Sequence, residues 1–397
     1  MKILWIDLNS SYAHSSLALP ALHAQIKDKS PYEWEMVSAT INENVGMVVE
    51  RIVAYQPDII AATMWLFNHE QLLHITSRVK ALLPKACLIL GGPEFLGENE
   101  TFLRCNPFVD AVFRGEGEEL FPQWLSCWDN PTAWATIDGL CYLDENSVYH
   151  DNGKAKTSAF DLLVPPEESH FFNWDKPFVQ LETTRGCFNT CAFCVSGSEK
   201  PVRALPIDTI RQRLDTIHQH GIKNVRVLDR TFNANPRHAK ELLNLFLEYH
   251  PHIRFHLEIH PALMNDALKS ELTRMPKGLL HLEAGIQSLR EPVLQQCRRM
   301  GKLADAMEGL KFLCSQSNLD THADLIAGLP LYRLEDILED IHTLASYCTG
   351  EIQLELLKLL PGTEMRMRAE ELGIRYSPLP PYEVLQTSEC TTAELQT

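Results

Sequence analysis

The segment Thr184-Arg185-Gly186-Cys187-Phe188-Asn189-Thr190-Cys191-Ala192-Phe193-Cys194 carries the most informative pattern in the chain. Its three cysteines have the spacing C-x-x-x-C-x-x-C, and it follows an apolar stretch, 179–183, that has the character of a buried strand. Three thiolates on so short a loop can hold three corners of a cubane iron–sulfur cluster. The segment offers no fourth cysteine or histidine at a suitable spacing, so the fourth iron would have an open coordination position.

Two other kinds of metal site compete with an open cluster. Structural zinc usually has four closed protein ligands, and a cluster that only carries electrons is usually held by four cysteines. Cys187, Cys191 and Cys194 satisfy neither requirement, so we interpret them as ligands of a [4Fe-4S] cluster. An open iron can chelate a small molecule while the cluster delivers an electron, which indicates redox chemistry at this loop.

Residues 176–397 alternate between short apolar stretches and segments with the apolar spacing of a helix. This alternation predicts six strand-helix units, which are typical of a partial (β/α)6 barrel of the TIM type. In such a barrel the functional face lies at the carboxyl ends of the strands, and the cysteine loop follows the first of them. The predicted strands are 179–183, 225–229, 255–259, 280–284, 321–326 and 352–357.

Residues 1–130 alternate in the same way and predict an α/β domain of the doubly wound, flavodoxin- or Rossmann-like kind. Its ligand crevice would lie at the carboxyl ends of the strands. Residues 131–175 carry only weak strand signals and then a stretch rich in Pro, Glu and His, so we expect a connector there and a barrel domain at 176–397. The predicted strands of the first domain are 2–8, 35–39, 58–64, 87–90 and 111–113.

Loops with glycine and small polar residues follow four of the strands in the first domain. Glycine lets the backbone approach a ligand closely, and short polar side chains supply hydrogen bonds without bulk. Any one of these loops could be only a tight turn or a helix entry, but four of them on one rim favour a ligand site. The predicted contacts are Asn9, Ser10, Trp65, Gly91, Gly92, Pro93, Glu94, Gly115, Glu116 and Gly117.

The overall composition of the chain indicates which partners and which cellular location to expect. The chain has 52 acidic and 36 basic residues, a net charge of −16, which disfavours binding to nucleic acid. It has neither a signal peptide nor an apolar run of about 20 residues that could cross a membrane, so we expect a cytoplasmic protein without a membrane partner. The eight cysteines outside the loop are scattered singly, and we expect them to be ordinary unpaired thiols.

The cysteine loop and its position after a first barrel strand resemble the radical S-adenosylmethionine (SAM) superfamily. In that family the open iron binds the amino and carboxyl groups of SAM, and one-electron reduction cleaves SAM to methionine and a 5′-deoxyadenosyl radical. The radical then removes a hydrogen atom from the substrate. The resemblance implies an external one-electron reductant of the flavodoxin or ferredoxin type.

Later strand ends carry segments that resemble the SAM contacts of the family. Leu228-Asp229-Arg230-Thr231-Phe232-Asn233 stands where many members have Gly-Gly-Glu, and Glu283-Ala284-Gly285-Ile286-Gln287-Ser288 resembles the segment near the ribose. The resemblance implies that Phe193 lies near the adenine, Asp229 accepts from the SAM ammonium, Glu283 and Gln287 bind the ribose, and Gly328 belongs to the adenine-binding strand.

The first domain is similar to the cobalamin-binding domain of the cobalamin-dependent radical SAM class, through the turn at 91–94 and the helix entry at 115–118. Segments 229–233, 324–330 and 359–365 resemble an uncharacterised subgroup that usually continues into a further C-terminal domain. Because the chain stops shortly after a helix-capping pattern at 391–394, we expect it to be part of a longer protein.

One feature of many cobalamin proteins is missing from the first domain. Residues 1–130 contain no D-x-H-x-x-G string, and the D-x-H at 320–322 lies on a barrel strand, where we interpret it as a chance match. The lower face of a bound cobalamin would then hold water, no ligand or another side chain, with Tyr12 and His14 as candidates.

The resemblance implies an enzyme that uses SAM and cobalamin to methylate, rearrange or cyclise an unactivated carbon centre of an unknown organic substrate. Two alternatives remain. A methylthiotransferase would need three further clustered cysteines in the first domain, where Cys87, Cys105 and Cys127 are far apart. A redox-sensing module that binds cobalamin and a cluster without turnover would not need the SAM-contact segments.

Overall fold

In a computed structural model of the protein, residues 1–26, 32–348 and 350–396 are described. The chain divides into two compact units, residues 1–176 and 177–397. Within the described ranges, every helix is too short or too polar to span a membrane.

The first unit is built on one sheet with the strand order β2-β1-β3-β4-β5-β6-β7, in which the first five strands are parallel. The order 2-1-3-4-5 is that of a flavodoxin-like doubly wound sheet. Its described strands are β1 (Lys2–Asn9), β2 (Glu33–Thr40), β3 (Ile59–Thr63), β4 (Cys87–Gly91), β5 (Ala111–Phe113), β6 (Leu140–Leu143) and β7 (Tyr149–Asp151). Its described α-helices are α1 (Ala18–Ala24), α2 (Val45–Tyr55), α3 (His69–Leu82), α4 (Glu100–Cys105) and α5 (Leu120–Leu125).

The two faces of this sheet bury separate apolar cores. On β1, Leu4 and Ile6 belong to the core under α2 and α3, whereas Ile3 and Trp5 belong to the core under α1 and α5. Since a strand covered on both faces needs apolar residues at nearly every position, the continuous apolar run at the start of the chain follows directly from this layering. The predicted doubly wound fold is confirmed.

The segment interpreted as a connector lies largely within the first unit. There β6 pairs antiparallel with β5, and β7 pairs antiparallel with β6. Leu140 and Cys141 are fully buried, and β6 covers the backbone edge that β5 would otherwise expose. Residues 131–175 therefore complete the first sheet and are not a simple linker.

The second unit is built on six parallel strands in the order β15-β14-β13-β12-β11-β8, so successive strands of the sheet are neighbours. This arrangement confirms the predicted partial barrel. The described strands of the unit are β8 (Val179–Leu181), β9 (Thr184–Arg185), β10 (Arg203–Ala204), β11 (Asn224–Val227), β12 (Arg254–Ile259), β13 (Leu280–Gln287), β14 (Asp320–Ala327), β15 (Glu351–Leu356), β16 (Arg375–Tyr376) and β17 (Val384–Gln386). Its described α-helices are α6 (Ile207–Gln219), α7 (Pro236–Leu247), α8 (Asp266–Thr273), α9 (Glu291–Gln296), α10 (Leu303–Ser315), α11 (Leu334–Ala345), α12 (Glu364–Met367) and α13 (Thr392–Leu395).

The two faces of the barrel sheet differ in polarity. Along β13, Leu280, Leu282 and Ala284 are fully buried, while the residues between them are partly exposed. The same alternation on β12 and β14 places histidines and carboxylates side by side across three strands. We call this set the polar sheet face, and it consists of His256, Glu258, His281, Glu283, His322 and Asp324.

Two cysteines outside the cysteine loop are not the single thiols that the sequence led us to expect. Cys314 and Cys348 form a disulfide, with their Cα atoms 5.1 Å apart. The remaining described cysteines, including the three of the loop, are free.

Candidate functional site

The cysteine loop leaves the barrel sheet at the end of β8 and is closed by a short antiparallel pair, β9 with β10. The amide of Cys187 donates to the carbonyl of Glu199 across this closure, at 3.0 Å. Gly186 has φ +92°, and a Cβ atom there would lie 2.6 Å from the same carbonyl oxygen. The loop therefore needs glycine before its first cysteine.

The three loop thiols lie in a partly buried setting with cationic side chains close by. Cys187 and Cys191 are buried, and Cys194 is half-buried. Burial raises the pKa of the Cys191 thiol, while Arg299, whose Nη1 donates to Sγ of Cys191 at 3.7 Å, acts in the opposite direction. Burial likewise raises the pKa of Cys194, and the charge of Arg230 opposes it. Three free thiols gathered beside guanidinium groups fit an anionic iron–sulfur cluster.

A fourth thiol, Cys297, also lies near Cys191. Its side chain is fully buried in an apolar core that includes Leu329 and Met365, and burial raises its pKa to about 12. A thiol that stays protonated in an apolar core is not a ready ligand. The three loop cysteines therefore remain the candidate ligands.

Backbone contacts hold the cysteine loop against later parts of the barrel. The amide of Ala192 donates to the carbonyl of Cys297 at 2.9 Å, and the amide of Met365 donates to the carbonyl of Ala192 at 2.8 Å. Phe193, which the resemblance put near an adenine, is partly buried and packs against the same apolar core. The loop is thus braced from the segments that follow β13 and β15.

Asp229 does not have the role that the resemblance implied. Its carboxylate is fully buried, and Oδ1 accepts from the amides of Thr183 and Thr184 at 2.8 Å each, while Oδ2 accepts from the hydroxyl of Thr183. Because the carboxylate is fully buried and already bound by these three donors, a ligand ammonium has no access to it. Asp229 instead ties the end of β11 to the start of the cysteine loop.

Glu283 and Gln287 lie on the same strand but have different surroundings. Glu283 accepts from Nε2 of His256 at 3.1 Å, and the neighbouring imidazoles of His256 and His322 lower its pKa to about 2. Gln287 ends β13 with φ +71°, and its Nε2 lies only 2.6 Å from where a Cβ on Gly285 would be. Gly328 follows β14 with φ +82°, and a Cβ atom there would be in ordinary contact range of Val384.

Burial perturbs two further carboxyl groups of the polar sheet face. It raises the pKa of Glu258 to about 7 and that of Asp324 to about 7, in each case with Glu283 contributing repulsion. The pKa of His322 is raised despite its burial, because the Glu283 carboxylate lies 3.5 Å from its Nε2. The polar sheet face is therefore a set of interacting acids and bases.

In the first unit, the ends of β1 and β3 are joined by a residue that was not among the predicted contacts. The Asn68 side chain donates to the carbonyls of Leu8 and Thr63 at 2.9 and 3.1 Å and accepts from the amide of Trp65 at 2.8 Å. Asn9 is buried and donates to the Asp7 carboxylate at 2.8 Å. The sequence signal for this link between β1 and β3 was a single asparagine in the loop that follows β3.

The loop after β1 also carries the two candidates for an axial ligand. Nδ1 of His14 lies 2.8 Å from Oγ of Ser11 and 3.4 Å from Oγ of Ser10. Tyr12 is 73% exposed. Neither side chain is held in an apolar core, so both are accessible from this rim.

The turn after β4 is compact because of one glycine. Gly92 has φ +112°, and a Cβ there would lie 2.6 Å from the carbonyl oxygen of Met64. Gly91 ends β4, and Pro93 and Glu94 open a single 3-10 turn. Glu94 is buried, and its Oε2 lies 2.8 Å from Nδ1 of His69 at the start of α3.

The loop after β5 packs against other segments of the first unit. A Cβ on Gly115 would lie 2.9 Å from Cβ of Ala155, and one on Gly117 would lie 3.2 Å from Cδ2 of Leu22. Glu116 accepts from the amide of Ser158 at 2.9 Å. Gly115 and Glu116 thus contact the segment after β7, and Gly117 packs close to α1, which is a structural role.

Known protein families match a segment in each of the two units. The sequence model of the radical SAM superfamily matches residues 181–344, and that of the B12 binding domain matches residues 6–125. An uncharacterized methyltransferase of Pyrococcus horikoshii is 26% identical over 204 residues, 49% of this chain and 44% of that protein. The cobalamin-dependent radical SAM methyltransferase TokK of Streptomyces tokunonensis is 22% identical over 348 residues, 81% of this chain and 50% of that protein. The chain spans about half the length of these curated relatives.

Solved structures with the same fold include TsrM from Kitasatospora setae, a radical SAM methyltransferase with cobalamin and a [4Fe-4S] cluster bound. It has a TM-score of 0.76 at 16% identity, covering 99% of this chain and 84% of that chain. At this identity the likeness concerns the fold. Together with the two family matches, it leads to one conclusion: residues 181–344 form a domain of the radical SAM superfamily and residues 6–125 a B12-binding domain.

Proposed function

We propose that the protein is a cobalamin-dependent radical SAM enzyme that methylates an unactivated carbon of an organic substrate. The observation that carries the proposal is the gathering of three free thiols beside Arg299, in a chain that also has a B12-binding domain. When bound, the cluster and cobalamin would supply the electron that cleaves SAM and the methyl group. Rearrangement or cyclisation of the same substrate is the alternative outcome.

The residues of the barrel would hold and shield these reagents. Cys187, Cys191 and Cys194 would ligate the cluster, and Arg299 would offset the charge of the thiolates. Gly186 lets the loop close, and Asp229 fixes the loop to β11 as a positioning residue. A loop held from several sides would keep water away from a reactive species.

We assign the SAM contacts by the chemistry of the remaining strand ends. Gln287 and Gly328 would line the nucleoside site, with Phe193 near the adenine. Glu283 is already engaged by two histidines, which makes it a weaker ribose contact than Gln287. The electron would come from an external donor of the flavodoxin or ferredoxin type, in the cytoplasm.

In the first unit, the rim after β1, β3 and β4 is the proposed corrin site. Asn9, Ser10, Trp65, Gly91, Gly92, Pro93 and Glu94 would form it. Phe67, which is 43% exposed, and Tyr12 offer aromatic surface to a large flat ligand. Gly115 and Glu116 would shape the edge of the rim through their contacts with 155–158, and Gly117 through its close approach to Leu22.

The test is anaerobic purification, reconstitution with iron, sulfide and hydroxocobalamin, and incubation with SAM and a low-potential reductant. We expect cluster and corrin absorption bands and formation of 5′-deoxyadenosine. Cys191→Ala should abolish the cluster band and the product, whereas Cys105→Ala, a change at an exposed free thiol, should leave both unchanged. A wild-type protein with a full cluster that never cleaves SAM would contradict the proposal and favour a redox-sensing module.

A further inference from the structure

A second group of potential metal ligands lies on the polar sheet face, apart from the cysteine loop. Parallel pairing places His256 opposite His281 and Glu283 opposite His322. Asp324 is two residues beyond His322 on β14, so its side chain emerges on the same face. Two carboxylates and three imidazoles are thereby brought together from three adjacent strands.

The three histidines form a connected chain. Nδ1 of His256 lies 3.2 Å from Nδ1 of His281, and Nε2 of His281 lies 3.0 Å from Nδ1 of His322. The Nδ1 side of His322 is therefore engaged by its neighbour. Its Nε2 is directed toward the two carboxylates, Glu283 and Asp324.

The separations around Nε2 of His322 suit a metal ion better than direct hydrogen bonds. Nε2 lies 3.5 Å from Oε2 of Glu283 and 3.6 Å from Oδ1 of Asp324. A good hydrogen bond would be shorter, at about 2.7–3.2 Å. Ligand atoms bound about 2.1 Å from one ion lie roughly 3.0–3.4 Å apart in octahedral or tetrahedral geometry, close to what is observed.

One oxygen in this group is buried without a hydrogen-bond partner. Among the described residues, Oδ1 of Asp324 receives no hydrogen bond. Leaving such an oxygen unsatisfied is unfavourable, so a buried acceptor of this kind calls for a bound ligand or solvent. The potential ligand atoms of Glu283, His322 and Asp324 lie within 4.8 Å of one another.

We propose that Glu283, His322 and Asp324 bind a divalent first-row metal ion. Mixed carboxylate and imidazole ligands suit Mn²⁺, Fe²⁺ or Zn²⁺, and the two carboxylates neutralise the dication. His281 orients His322 by the contact of its own Nε2 with Nδ1 of His322, as an outer partner of a metal-bound imidazole commonly does.

An ion could reach the site from the side of the sheet where the strands begin. A cavity of about 300 Å³ is lined by His281, His322 and Glu351 among others, and a second of about 210 Å³ is lined by His256 and His281. The site shares no ligand with the cysteine loop. Glu283, which the resemblance implied as a ribose contact, would instead bind the metal ion, and binding of the ion can be tested without SAM.

Mn²⁺ is the probe, because it prefers oxygen and nitrogen ligands to thiolates and is distinct from the iron and cobalt of the other cofactors. The full chain with its cluster reconstituted would be titrated with Mn²⁺, and the EPR signal of the free ion would report binding. We expect one saturable site per chain. Glu283→Gln, His322→Gln and Asp324→Asn should abolish it, and His281→Ala should weaken it about 10- to 100-fold.

The matched control is Asp320→Asn, the same chemical change on the same strand. Asp320 pairs with Arg254 at 2.8 Å and lies outside the proposed site. This variant and Cys191→Ala should both bind Mn²⁺ like the wild type. Iron content and circular dichroism of each ligand variant should match the wild type, so that a lost site is distinguished from a lost fold.

Three results would overturn the inference. The wild type could show no saturable Mn²⁺ site. Asp320→Asn could weaken binding as much as Asp324→Asn does, which would indicate diffuse attraction to an acidic protein. Finally, Cys191→Ala could abolish Mn²⁺ binding, which would indicate that the ion binds at the cysteine loop.

Discussion

At the scale of single residues, buried groups near the cysteine loop carry the clearest consequences. Asp229 satisfies two amides and a hydroxyl at the start of the loop without touching a thiol. Its effect on any cluster must be indirect, through loop geometry, and that distinction can be measured.

Replacing Asp229 with Ala should lower both stability and cluster retention. Each buried donor left without its acceptor costs about 1–3 kcal/mol. Urea unfolding and iron analysis would measure the two effects, and Asp229→Asn should recover part of both. Asp305→Asn, at an exposed position, should change neither. If Asp229→Ala kept full stability and iron content, the positioning role would be wrong.

Gly186→Ala should disrupt the loop more than a positive φ angle alone can explain. Gly186 combines φ +92° with a Cβ position 2.6 Å from the Glu199 carbonyl, whereas Gly221 has φ +74° and open space around it. Gly221→Ala should therefore show only backbone strain, of about 1 kcal/mol. Gly186→Ala should in addition lose iron, and equal behaviour of the two variants would contradict the close contact.

His260 should make the protein less stable as the pH falls below neutrality. Burial, with help from Arg299, lowers its pKa from 6.5 to about 3. Between these values the unfolded chain takes up a proton that the folded protein does not, so stability is complete above 6.5 and declines toward 3, by an amount on the order of a few kcal/mol. Unfolding at pH 7.5 and 5.5 would show this, and His260→Gln should reduce the slope, whereas His252→Gln at an exposed site should not.

At the scale of elements, capping defines where helices start. Asn44 accepts from the amides of Gly46 and Met47 at the beginning of α2, which supplies much of one core of the first unit. Asn44→Ala should lower the free energy of unfolding by about 1 kcal/mol, while Asn44→Asp should retain most of it. Equal losses in thermal unfolding would show that the cap bonds contribute little.

The antiparallel strands β6 and β7 lie in the segment that we interpreted as a connector with weak strand signals, one of which falls at β6. Their signal is weak because each is short, and only pairing with the edge of β5 gives them a place in the sheet. Periodicity reports the environment of a segment, but it does not report which distant strand edge the segment will cover.

At the scale of the whole molecule, the residues proposed for the two cofactors belong to different units. Ser10→Trp on the rim of the first unit should therefore reduce cobalamin retention while iron content stays at the wild-type level. Cys187→Ala should do the reverse. Ser126→Trp, at an exposed helix end, is the control for the added bulk. Loss of both cofactors in either variant would show that loading is coupled.

The sequence by itself predicted most strands and helices and the candidate cysteine ligands. Apolar runs marked the parallel strands of the first unit, because strands covered on both faces are apolar at nearly every position, and the cysteine spacing is a local property of one loop. Leu4 and Cys187 could be interpreted from their neighbours in sequence alone.

The tertiary structure decided what depends on distant pairing. In the folded chain, the Asp229 carboxylate accepts hydrogen bonds from Thr183 and Thr184, and Cys314 forms a disulfide with Cys348. Strand pairing aligns His281, Glu283 and His322 across neighbouring strands. The histidine on β14 matched only a chance motif in sequence. Strand register, which follows from side-chain packing and backbone pairing along the whole sheet, is what makes it part of a candidate metal site.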